Sequence, residues 1–205
     1  MAVMVELRVM ELLNARLCHE LISPVGAINN GVELVAEEDM DADFQRDAMK
    51  LIASSAKTAG QRLNFYRFAY GSGRGSTGKD AALGLLDGAK AKVDWQDSAS
   101  ALPLEWQRLA CNMVVIAAEV LPRGGMLRIE AAEGGKGIVV NAGGDSVNLT
   151  AELRAALADN VDVDALTART VHGYYTARVA ESLDAKLELT EPGAGKVLLT
   201  AKPGR

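Results

Sequence analysis

Cysteine is almost missing from this chain. Of 205 residues only Cys18 and Cys111 carry thiols, far apart and without metal-ligand spacing. That excludes a disulfide framework and a structural zinc centre, fits a reducing compartment, and reads both thiols as small core or near-core residues. Long apolar runs are also missing. No stretch reaches the roughly 18 residues that a membrane-crossing helix needs, and no basic-then-apolar leader opens the chain, so a cytoplasmic protein is expected. Positive charge is in short supply, with a net charge of −5 and no basic cluster. The electrostatic footprint of a nucleic-acid binder is therefore lacking, and protein partners are expected instead. Trp95 and Trp106 have no interleaved basic residues, so they read as core residues and not as stacking platforms.

What is present begins with helical periodicity. Leu7, Met10, Leu13, Leu17, Leu21, Ile28, Val32 and Val35 recur at three- or four-residue spacings, which predicts one long helix from about Met4 to Ala36. Pro24 should distort the turn that contains His19 and Glu20. The acidic stretch Glu37 to Asp41 ends this helix and caps the next, which is expected from Ala42 to Ala69 with a stripe of Phe44, Ala48, Leu51, Ser55, Ala59, Leu63 and Tyr66. Two helices of about 40 to 50 Å cannot bury both stripes by themselves. A four-helix bundle made by two copies of the chain solves this, and a homodimer is expected.

The segment Gly71 to Gly78 is rich in glycine and serine and marks a boundary. The expected units are a helical hairpin over residues 1–72, a linker over 73–79 and a second domain over 80–205. In that domain helices are predicted near Asp80–Gly88, Pro103–Val120, Thr150–Asp159 and Asp164–Leu183. Strands are predicted near Lys92–Trp95, Met126–Glu133 and Gly137–Asn141, with a final hairpin over Lys186–Lys202. The class is α+β, a layered sandwich following a helical hairpin.

His19 is the residue that bears chemistry. Arg16, three residues earlier, and Ser23, four later, share its helical stripe and make it polar, so the imidazole is expected to face water. A neutral imidazole ordinarily titrates near 6.5 and can attack a phosphoryl group without a special base. Arg16 is positioned on that stripe to steer an anionic group, Ser23 to hydrogen-bond it, and Glu20 to orient the second ring nitrogen or accept its proton. Beyond Pro24, the run Gly26-Ala27-Ile28-Asn29-Asn30-Gly31 is rich in small and polar residues for a helix interior. Ile22, Gly26, Ala27, Asn30 and Gly31, with Leu34 at the lower edge, form the candidate patch for a docking partner. A locally weakened helix, or close packing within the bundle, is the competing account.

Two other motifs read as structural. Gly73 to Lys79 has the spacing of a phosphate loop, but Asp80 follows the lysine where serine or threonine should hold magnesium, and a helix precedes it. His172 has no cysteine or second histidine near it and reads as a structural residue.

His19, Glu20, Ser23 and Pro24 on a two-helix unit, followed by an α+β domain, resemble the core of a sensor histidine kinase. Measured against that pattern, Asn112 to Ala117 puts Ile116 where a magnesium-holding asparagine belongs. Asn141 stands in place of the adenine-reading aspartate, and the glycine-rich lid is reduced to Gly173, Tyr174 and Tyr175. The stretch Ala15 to Leu34 is similar to the signature of the alphaproteobacterial histidine phosphotransferase (ChpT) family. That resemblance implies a degenerate kinase-ATPase-like domain with no bound nucleotide, no metal and no stable cofactor. It implies that His19 takes a phosphoryl group from the receiver aspartate of a CckA-like hybrid kinase and passes it to CtrA-like and CpdR-like response regulators, with magnesium supplied by the receiver. An ATP-using kinase core and a receiver-binding module without transfer are the alternatives.

Overall fold

Two helices open the fold: α1 over Leu7–Ala36 and α2 over Ala42–Tyr70. The computed structural model describes residues 6–37, 41–71 and 75–204. The expected start at Met4, the stretch Glu38 to Met40, and Ser72, Gly73 and Arg74 of the glycine-serine segment lie outside the described residues. Asp41 starts α2 as anticipated, its carboxylate accepting from the amides of Asp43 and Phe44 at 3.0 and 2.8 Å, which satisfies donors that no helical carbonyl can reach.

The hairpin packs closely around Gly31. Pro24 and Gly31 of α1 are buried, as are Ala48, Ser55 and Ala59 of α2. A Cβ added at Gly31 would stand 2.6 Å from Ile52 Cγ1 and 3.3 Å from the Ala48 carbonyl oxygen. Glycine there is what lets the two backbones approach. Several larger members of the expected stripes remain exposed in the single chain, among them Leu7, Met10, Val32, Phe44, Leu51 and Leu63, whereas Leu13 and Tyr66 are buried.

The C-terminal half is a mixed five-stranded sheet covered on one face by helices, so the expected α+β class holds. In chain order come α3 (Gly78–Leu85), β1 (Ala91–Trp95), the short α4 (Asp97–Ser100), α5 (Leu104–Glu119), β2 (Gly125–Ala131), β3 (Ile138–Gly143), α6 (Ala151–Ala156), α7 (Val171–Ser182), β4 (Ala185–Gly193) and β5 (Lys196–Pro203). The strand order is β1-β2-β3-β5-β4, parallel between β1 and β2 and antiparallel elsewhere. Alternation decides which face is covered. Leu127 and Ile129, Ile138 and Val140, and Val197 and Leu199 are buried, while Arg128, Met126 and Lys196 face out. Helix α5 is buried from Leu109 to Ala117 and forms the middle of the core. Each large side chain buried there contributes about 1.5–3 kcal/mol. Trp95 is buried and Trp106 packs partly buried against the same cluster, as expected.

One buried polar chain joins the two halves. His172 is fully buried on α7, with Nε2 3.1 Å from the Asn112 carbonyl oxygen and Nδ1 2.9 Å from the Tyr70 hydroxyl. A carbonyl oxygen only accepts, so Nε2 carries the proton, Nδ1 is the acceptor, and Tyr70 donates to it. The Asn112 amide donates to Ala69 O at 3.0 Å and to Arg108 O at 2.9 Å, and Arg108 donates to Gly71 O at 2.9 Å. The structural reading of His172 is thus correct, and it ties the end of α2 to α5 and α7.

Two expectations are corrected. Cys18 is exposed on α1 and is no core residue, whereas Cys111 is buried. The helix anticipated over Asp164–Leu183 is interrupted: a single 3-10 turn spans Val163–Ala165 and α7 begins only at Val171. Carbonyls of the intervening turn are taken by α1 instead of by a continuing helix. Arg8 donates to Val163 O, Asp164 O and Leu166 O at 3.3, 3.2 and 3.3 Å.

Burial holds the His172 ring neutral and pushes its pKa down from the ordinary value to about 3. An unfolded histidine titrates near 6.5, so between these values the unfolded chain binds more protons and stability rises with pH. The contribution is complete above about pH 6.5 and is lost as pH falls towards about 3, at up to about 1.4 kcal/mol per pH unit. Urea unfolding across that range should show this slope in the wild type and lose it in His172→Gln, which is less stable overall.

Candidate functional site

The middle of α1 presents its chemistry on an open face. His19 is exposed, and among the described residues its ring makes no hydrogen bond within the chain. The expectation of a water-facing imidazole is met. One turn on, Ile22 is 68% exposed and Ser23 is exposed beside it. A further turn on, Gly26 is half-buried, yet a Cβ built on it would meet no atom of another element within 4 Å, and Asn30 is exposed. Spacing at i+3, i+4, i+7 and i+11 puts these residues along one line from the imidazole. The structure therefore brings Ile22, Ser23, Gly26 and Asn30 together with His19.

The other predicted residues have different surroundings. Ala27 and Leu34 are half-buried. Gly31 is buried against Ile52 and Ala48, so its place in a docking patch is corrected: its lack of a side chain serves the helix pairing. Glu20 is half-buried and engaged by Arg62. Proline has no N–H, so Pro24 leaves the Glu20 carbonyl without its helical donor. Arg62 supplies one: its Nη1 donates to the Glu20 carbonyl oxygen and lies 3.1 Å from the carboxylate oxygen Oε2. The turn bearing His19 is thus closed by a residue of α2 that sequence reading missed. A cation about forty residues away carries no local signal.

Arg16 is the largest correction. It was expected on the open stripe and is only 8% exposed. Its Nη2 is paired with the Glu119 carboxylate, and its Nη1 lies 3.2 Å from the Arg169 carbonyl oxygen and 3.5 Å from that of Ala168. Burial acts against the charge, but the Glu119 carboxylate outweighs it and raises the pKa of the guanidinium. It is a firm cation turned towards the C-terminal half and not towards a ligand on the His19 face. Three residues of separation leave Arg16 and His19 about 60° apart around the helix, which is enough for one side chain to be covered and the other open.

In the C-terminal half, Ile116 is fully buried in the core, and Asn141 on β3 directs its amide to Glu130 Oε1 at 3.4 Å. The phosphate-loop reading of Gly73 to Lys79 is answered in part. Gly73 lies outside the described residues, and the Gly78 amide donates to Gln107 Oε1 at 3.0 Å, so that donor is not free for a phosphate. Among the described residues, no three His, Cys, Asp or Glu side chains gather to hold a metal ion, and no helix is long and apolar enough to cross a membrane.

Comparisons with known proteins show what the chain is similar to. The family described as histidine phosphotransferase C-terminal domain matches residues 78–195. The protein phosphotransferase ChpT of Brucella abortus (strain 2308) is 35% identical over 191 residues, covering 87% of this chain and 88% of that protein. A bacterial phosphotransferase solved at 1.7 Å is 30% identical, covers 98% of each chain and has a TM-score of 0.77.

Two substitutions separate packing from chemistry on this helix. Gly31→Ala is expected to overpack the hairpin and cost about 1–3 kcal/mol, while Gly26→Ala should leave stability within about 0.5–1 kcal/mol of wild type or raise it. Arg62→Ala should cost about 1–2 kcal/mol by releasing the Glu20 carbonyl and carboxylate. Urea unfolding followed by helical circular dichroism measures all three.

Proposed function

The chain belongs to the histidine phosphotransferase family of ChpT, and on that footing we propose that its phosphorelay step runs through His19. The coarse activity, phosphotransfer within a phosphorelay, comes with the family. The observation that carries the finer reading is the open imidazole, flanked by a small and unobstructed surface, at mid-length on α1.

The unprotonated ring nitrogen of His19 attacks the phosphorus of an aspartyl phosphate on a receiver domain. The P–N bond forms as the P–O bond to the aspartate breaks, and the carboxylate leaves with its electron pair. The second ring nitrogen, open to solvent, can release its proton to water. In the reverse sense the aspartate of a second receiver attacks the phosphohistidine, and the imidazole leaves. Such a loose transition state needs alignment and charge neutralisation more than covalent help. A receiver brings its own aspartate, magnesium ion and lysine, so this chain has to supply the nucleophile and a docking surface. Ile22, Gly26 and Asn30 form that surface beside His19, with Ser23 able to hydrogen-bond the incoming phosphoryl oxygens. The donor is a CckA-like hybrid kinase receiver, and the acceptors are CtrA-like and CpdR-like response regulators.

A homodimer built on the hairpin, residues 1–72, is part of this proposal, with residues 80–205 as the appended domain in a cytoplasmic protein. Its support is the set of apolar side chains that the single chain leaves open on both helices, with Leu63 51% exposed beside Met10 and Leu17. A second copy of the hairpin is the economical cover for such a surface.

Incubation with a phosphorylated, labelled receiver and no ATP should place acid-labile label on the wild type and none on His19→Ala. Both proteins should sediment as dimers. Label retained by His19→Ala would contradict the assignment, and direct labelling of the wild type by ATP would favour a kinase instead.

A further inference from the structure

Resting on the phosphotransfer reading above, we propose that the Arg16–Glu119 pair is a positioning device. It holds the C-terminal half in one posture beside the His19 turn, so that a receiver meets two walls in a set relation. Arg16 and Glu119 do not touch the reacting atoms.

The placement of the two charges supports this. Glu119 is the last residue of α5, where the negative end of the helix disfavours a carboxylate. A cation from another element relieves that, and Arg16, one turn before His19 on α1, supplies it. The same guanidinium also meets the carbonyls of Ala168 and Arg169, which lead into α7. A planar fork with fixed donor directions thus registers α1 against the end of α5 and the entrance to α7 together.

Adhesion does not require the pair. Val9 and Leu13 already bury themselves among Leu166, Val171 and Tyr174, and an ion pair whose Glu119 end is 35% exposed adds little net stability. Arg16 Nε is buried with no partner among the described residues. The arrangement is therefore a poor choice for stability and a good one for fixing direction.

Phosphotransfer from a labelled receiver, titrated over receiver concentration, tests the idea. In Glu119→Gln the half-saturating receiver concentration should rise about tenfold while the plateau rate stays within about twofold. Arg16→Gln should act alike, and the double variant should be no worse than either single one, since both break the same contact. Unchanged half-saturation, additive effects in the double variant, or a fall confined to the plateau rate would overturn the proposal. Should either variant lose its cooperative unfolding transition, Glu119→Asp keeps the charge, shortens the reach and must raise half-saturation in the same direction. His19→Ala serves as the zero-transfer control. A wild-type chain that accepts no label would remove the underlying reading and this proposal with it, whereas a wild type that accepts label and a Glu119→Gln that matches it would remove this proposal alone.

Discussion

A backbone carbonyl can accept a hydrogen bond but never donate one, and at Asn112 that asymmetry settles the joint on which this molecule is built. It places the His172 proton on Nε2, leaves Nδ1 as an acceptor and orients the Tyr70 hydroxyl towards it. The Asn112 amide, in the same buried layer, closes on the carbonyls of Ala69 and Arg108. Networks of this kind are strong when complete and costly when broken, because the low surrounding polarity amplifies both outcomes. The end of α2 is held against α5 and α7 by largely buried groups, with Asn112 Oδ1 left without a partner among the described residues.

From that joint the helical hairpin projects as a platform with an unusual division of labour. Its inner face is close-packed at Gly31, which meets Ile52 and Ala48 of α2 and brings the backbones together. Bulky side chains such as Leu7, Met10, Phe44 and Leu63 stay outside. His19 lies on the same platform with an open ring and no partner within the described chain. A site like this is a surface and not a cleft, suited to chemistry in which the other protein brings most of the machinery. Rigidity matters more there than enclosure, and Arg62 provides it by closing the helix at the carbonyl that Pro24 leaves free.

Much of this was legible beforehand. Periodicity located both long helices, the alternation in β2, β3 and β5 located the sheet, and the neighbours of His19 predicted its exposure. What failed did so for a common reason. Arg16 has the right spacing to share a face with His19, but spacing says nothing about which other element lies over part of that face. Gly31 looked like a docking position because a small residue signals close approach without naming what approaches. The helix drawn through Asp164 to Leu183 has adequate periodicity, yet Arg8 and Arg16 hold its early carbonyls in a turn. Arg62, far along the chain from Glu20, gave no local signal.

Local pattern alone therefore determined the exposure of His19, the helix that bears it and the α+β class, since each depends on side-chain period and on the chemistry of neighbours in sequence. Tertiary structure decided which charges stay available. Arg16 is spent on Glu119 and Glu20 on Arg62 because residues distant in the chain arrive beside them, and a buried or half-buried charge takes the nearest opposite charge whatever its distance in sequence.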